Sequence, residues 1–132
     1  PRAAAATMST ASQGLLPVVV QTPFSRASEF AVLAKQNGAQ ALSVSAPPRA
    51  ALNTEKGWFE GRLYGGGMFA HALQVVRGLS HETDLPIIAA AGIHSTAQAR
   101  ALLSAGAQAV QLQSVVWIAP TKVKAMLESW KH

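Results

Sequence analysis

The chain has 132 residues, nearly half of them apolar and 13% charged, with a net charge of +5 and no cysteine. That length suits one domain with a real core and is short of two ordinary ones, and the composition excludes a disordered tail. The missing thiols exclude disulfides, thiolate catalysis and thiolate metal sites; no apolar run is long enough to span a bilayer, and the scattered basic residues leave nucleic-acid binding with only the net charge behind it.

The opening PRAAAATMSTASQG holds small residues without the apolar centre of a signal peptide, so a cytoplasmic protein with no membrane partner is expected. Residues 1–15 read as a helix that has lost its beginning, weakly placed within a single domain spanning 1–132. A start at Pro1 inside an alanine-rich segment, with no initiator Met, is expected of a piece of something longer.

From there a short strand and a helix alternate. The β-branched run Leu16–Gln21, bounded by Gly14 and Pro23, predicts a buried parallel strand. A helix follows with Ser25 as N-cap, places Phe30, Leu33 and Ala34 on one face and stops at Asn37-Gly38. A second strand is predicted over Ala41–Ser45, and residues 47–60 form a long loop. Then come a helix over Met68–Ser80, a strand over Pro86–Ala91, a helix on STAQARALLSAGA, a strand over Ala109–Ser114 and a last helix over Thr121–Trp130. Such alternation predicts right-handed crossovers and a parallel sheet of four strands. The phrases NGAQAL (37–42) and AGAQAV (105–110) repeat each other, with a glycine ending a helix just before a strand.

The stretch EGRLYGGGMFAHALQVVRGL, Glu60 to Leu79, places four glycines among its first eight residues directly before a helix. Unpaired N–H groups and the macrodipole make a helix start attractive to anions, and a phosphate is the first candidate; a turn using unusual backbone angles is the alternative. Gly92 lies at a predicted strand end before a helix, where parallel α/β proteins place ligands.

The segment LPIIAAAGIHSTAQARALLSAGAQAVQLQSVVW, Leu85 to Trp117, resembles the last two strand units of the flavin-binding barrels of the dihydroorotate dehydrogenase family, and GRLYGGGMFAHAL falls on that family's glycine loop and helix. The resemblance runs from about Leu16 to Trp130. It implies the C-terminal half of a TIM barrel, strands five to eight of a (β/α)8 fold that usually needs roughly 250 residues, and FMN as cofactor. It also implies that Gly65, Gly66, Ala91, Gly92, Gln113 and Ser114 hold the FMN phosphate while Gln21 and Ser45 line the ring, with Gly61 and Leu63 in the flavin-facing loop.

The departures from the family are specific. Gln21 stands where the family has a lysine that stabilises negative charge on the reduced flavin, and Ala46-Pro47 replace the Asn-Thr pair that holds the pyrimidine, so a substrate other than orotate is expected. The family's catalytic base lies in the other half of the barrel. No residue of this chain inherits that role.

The histidines and large aromatics each admit two readings. His71, His81 and His94 match no metal-ligand spacing; His94 reads as an exposed loop histidine or as a hydrogen-bond donor beside the phosphate. No pair of carboxylates falls at the strand ends. Trp58 and Phe59 are expected either to cover a ligand or to anchor the loop on the sheet rim, and Trp117 and Trp130 to pack in the core or between helices. Two functions from different classes remain: an FMN-dependent oxidoreductase-like half barrel, and a non-catalytic phosphate-ligand or protein-interaction module that has lost flavin. In either, four strands cannot close a barrel, so self-association or binding to an N-terminal half-barrel is expected.

Overall fold

A computed structural model describes residues 2–130; Pro1, the start of the expected first helix, lies outside the described residues. Helix α1 (Arg2–Ser12) leads to β1 (Val19–Pro23), α2 (Ala27–Gln36) and β2 (Ala41–Ala46). A hairpin, β3 (Arg49–Thr54) and β4 (Gly57–Arg62), comes next, then α3 (Phe69–Glu82), β5 (Ile87–Ala89), α4 (Thr96–Ser104), β6 (Ala109–Val110), α5 (Ser114–Ile118) and α6 (Pro120–Trp130). The α/β alternation and the four-stranded parallel sheet are as the sequence predicts, in the order β1-β2-β5-β6.

That order follows the chain without a reversal, and register explains which face is apolar. Val20, Leu42 and Ile87 form one row, and Thr22, Val44, Ala89 and Val110 another, both turned toward the helices. Each helix supplies small or branched residues to meet them: Ala27, Ala31 and Ala34 from α2, Ala72, Val76 and Leu79 from α3, Ala99 and Leu102 from α4. The spacing of three and four is the 3.6-residue helical period, which puts them in one stripe. Because α2 packs on α3 and α3 on α4, the three helices lie side by side on one face. The intervening row, Gln21, Ser43, Ile88 and Ala109, points to the opposite face, where Val19, Gln21 and Ala109 are exposed.

The repeated phrase is a repeated structure. Gly38 and Gly106 both take positive φ (80° and 113°) just past a helix, and the next residue, Ala39 or Ala107, donates back to Ala34 O or Leu102 O. The glutamine that follows then grips the neighbouring strand from both sides. Gln108 N–H donates to Ile87 O at 2.9 Å while its Oε1 accepts from Ile87 N at 2.6 Å; Gln40 does the same to Val18.

Several expected elements differ. The loop 47–60 is largely the β3–β4 hairpin, which the sequence hides because RAALNT lacks β-branched alternation. The strand expected over Ala109–Ser114 ends at Val110: Gln111 N–H still reaches Ala89 O, but β5 offers nothing further to pair with, and Ser114 opens α5. The first strand begins at Val19 rather than Leu16, matching the start of its partner at Ala41, and leaves Leu15 and Leu16 exposed. Ser25 is not an N-cap. It lies inside a 3-10 turn, Phe24–Arg26, and α2 starts after Arg26 with no side-chain cap. Trp117, expected in the core or between helices, is 86% exposed because α5 presents only Ser114 and Val115 inward; Trp130, 43% exposed, keeps the contact between helices, its ring 5.8 Å from the Arg100 guanidinium of α4.

Candidate functional site

Three connections meet at the C-terminal ends of the parallel strands: the glycine loop before α3, the turn from β5 into α4, and the turn from β6 into α5. Gly65 has φ 124°, a conformation open to glycine, and Gly66–Met68 tighten into a 3-10 turn that feeds α3 without a side-chain cap. Gly66 lies against the His94 imidazole, where an added Cβ would stand 3.8 Å from the ring, ordinary contact. His94 Nε2 in turn pairs with Ser114 Oγ at 2.9 Å. Gly66, His94 and Ser114 thus come from three connections into one cluster.

The half-buried His94 is held from behind. Its N–H donates to Gln98 Oε1 at 2.8 Å, and Gln98 N–H donates to Ser95 Oγ at 3.2 Å, a variant of the capping box in which the glutamine reaches one residue past the cap. This box uses part of the donor set of α4 internally, and the cluster itself consists of the glycine loop, the imidazole and the Ser114 hydroxyl, the last two hydrogen-bonded to each other. The exposed-loop reading of His94 is therefore corrected. Its signal was present in the sequence as the S-x-x-Q spacing of Ser95 and Gln98.

Gly92 and Ala91 are buried, and Ala91 belongs to the core. Gly92 has φ 73°, and a Cβ there would fall 2.1 Å from Phe69 N and 2.6 Å from Phe69 Cα. Its backbone is pressed onto the first residue of α3, so glycine is required for close packing of two connections. Gln113 is half-buried and, with Ser114, Tyr64, Trp117 and Ile118, lines an open hollow of about 460 Å3. Exposed aromatic and aliphatic faces there give an apolar shelf beside the polar cluster.

Gln21 and Ser45 form a second group, on the sheet face away from the helices. Gln21 Nε2 donates to Ser45 Oγ at 2.8 Å, and Ser43 Oγ donates to the same oxygen at 2.9 Å. A neutral network of one amide and two hydroxyls thus runs from the middle of β1 along the second half of β2. No hydrogen bond joins it to the His94 cluster among the described residues. Trp58 and Phe59 stand away from both groups on β4, 73% and 55% exposed, with Phe59 opposite Leu52.

Part of the charge elsewhere is paired. Arg26 grips Glu29 through two bonds of 2.7 and 2.6 Å, which hold the Glu29 carboxyl below its ordinary range. Lys35, at the end of α2, meets Asp84 before β5 at 2.8 Å, and its hydrogen bond likewise lowers the Asp84 carboxyl. Among the described residues no three metal-ligating side chains cluster, and no helix is long and apolar enough to cross a membrane. Comparison with protein-family models and with curated proteins found no match to this chain.

Proposed function

We propose that this chain is the phosphate-binding side of an FMN-dependent oxidoreductase-like half barrel, resembling strands five to eight of the dihydroorotate dehydrogenase family and serving a substrate other than orotate. The observation that carries the reading is the convergence of Gly66, His94 and Ser114 at the C-terminal ends of strands whose spatial order follows the chain. A sheet of that order with its helices side by side on one face is what half of a (β/α)8 barrel requires. The residues present fit a phosphate: the glycine loop offers backbone N–H groups with no Cβ in the way, and the hydroxyl and imidazole add side-chain hydrogen-bonding groups.

In this reading Gly65, Gly66, His94 and Ser114 hold the phosphate, and Gly92 and Ala91 set the loop that carries His94. Gln113 and the shelf of Tyr64 and Trp117 lie along the ligand, and Gln21 and Ser45 face the ring. FMN supplies hydride acceptance when bound. This chain's part is to anchor and orient it, while the proton acceptor belongs to a complementary half.

The test is binding of FMN against riboflavin, followed by quenching of flavin fluorescence. FMN should bind at least tenfold more tightly, and His94→Ala combined with Ser114→Ala should remove that preference. Equal affinity for riboflavin, or no FMN binding, overturns the assignment.

One observation favours a second reading, a phosphate-ligand module without flavin. Gln21 carries no charge, and its amide is already engaged by Ser45, so the reduced ring would lack its usual counter-charge. A colourless protein that binds phosphate esters through the same cluster would select it.

A further inference from the structure

On the other side of the glycine loop, a groove of about 760 Å3 lies between the 3-10 turn at Phe24–Arg26, the base of the hairpin and the outer side of α3. Its size falls in the range of small-molecule sites. Arg49 and Arg62 stand directly opposite one another across the β3–β4 pair, so their side chains leave the hairpin on the same face, and both line the groove. Like charges in that position oppose pairing.

Glu60, on the same face of β4 by register, forms no ion pair with either among the described residues. None of the ion pairs among the described residues involves Arg49 or Arg62. Glu29, the acidic residue lining the groove, is occupied by Arg26 at 2.6 Å. Arg62 donates one bond to Pro47 O at 2.9 Å, which holds its planar head at the rim and leaves its other donors open.

The floor points the same way. His71, Gln74 and Gly78 line the groove from one side of α3. Glycine in a helix interior is less favourable than alanine, yet a Cβ at Gly78 would meet only Glu82 Oε1, at 3.9 Å. Packing does not demand glycine there, and its missing side chain leaves space along this part of α3, which borders both the groove and a second hollow.

We infer that this groove is a second binding site, for a small phosphate monoester whose dianionic group bridges Arg49 and Arg62 and whose body lies along α3 over Gly78. Two guanidinium forks match phosphate geometry, and a bridging dianion turns the repulsion at the hairpin base into attraction. The site is separate from the His94 cluster and does not rest on the flavin reading.

The experiment measures thermal stabilisation and calorimetric binding with inorganic phosphate and phenyl phosphate, at ionic strength matched by chloride. The measurements use a His94→Ala/Ser114→Ala background, which removes the other candidate phosphate cluster, so that phenyl phosphate binding reports the groove. Arg49→Gln should leave the ligand-free melting temperature unchanged or raise it, because a like-charge pair is removed, and should weaken phenyl phosphate roughly tenfold or more, the equivalent of one charge-assisted bond. Gly78→Leu, which favours the helix, should reduce phenyl phosphate to the affinity of inorganic phosphate or below. Undiminished binding when Arg49→Gln is added to that background overturns the inference, as does the absence of stabilisation of the background protein beyond that given by chloride.

Discussion

The Cα of Gly92 lies so close to Phe69 that a methyl group on it would stand 2.1 Å from the Phe69 nitrogen. Backbone cannot retreat as a flexible side chain does, and Gly92 also holds φ at 73°. Gly92→Ala is therefore expected to destabilise the fold by about 2–4 kcal/mol, from overpacking plus left-handed strain. Gly66→Ala, with 3.8 Å of clearance, should change stability by less than about 0.5 kcal/mol. Urea unfolding of both variants measures this, and equal losses would show that the two connections are not pressed together.

The glutamine that follows each helix-ending glycine makes a separate prediction. Ile87 is 1% exposed, so removing the Gln108 amide leaves its N–H without a partner in an apolar setting. Gln108→Ala should cost about 1–2 kcal/mol. Gln40→Ala should cost less, since Val18 N lies nearer the surface and water replaces the lost acceptor. Matched losses in the two variants would contradict the burial difference between these sites.

For the pH dependence, Asp84 is the informative carboxylate. Lys35 lowers its pKa in the folded state, so the stability it contributes is present above the unfolded value and lost as pH falls through the folded one. The parent should exceed Asp84→Asn in melting temperature near neutrality, and the gap should close as pH falls below the ordinary aspartate value of about 3.9. High salt should shrink it as well, because both partners are exposed. A gap that persists at the acid end would mean that the packing of the substituted amide, and not charge, separates the two proteins.

Flavin chemistry, if the proposed function holds, should answer to the Gln21 position. Gln21→Lys places a positive charge beside Ser45 and should raise the reduction potential of bound FMN while leaving the phosphate-dependent preference over riboflavin intact. Spectroelectrochemical titration reads the potential. An unchanged value would place the ring away from β1.

The open face and edges of the sheet predict association. β1 and β6 are edge strands, and Val19, Leu16, Trp117 and Ile118 are exposed. Unpaired edges beside apolar surface favour pairing with another sheet. Light scattering at micromolar concentration should show self-association, and a monodisperse 13.8 kDa monomer with cooperative unfolding would refute it.

Alternation of strand and helix and the two glycine-terminated helices were legible in the sequence, because each depends on contacts within a few residues: a 3.6-residue stripe, or a C′ glycine that tolerates positive φ; the parallel sheet followed from the alternation through the crossover rule. The glycine loop was legible for the same reason. What only the tertiary structure decided concerns partners distant along the chain. Leu52 became half of a strand pair because Phe59 lies opposite it, and β6 stopped at Val110 because β5 offered no further ladder. Trp117 was left outside because α5 turns only Ser114 and Val115 inward. His94 and Ser114 lie twenty residues apart, and no local rule joins them; the parallel register of β5 and β6 carries both to the same end of the sheet, within 2.9 Å.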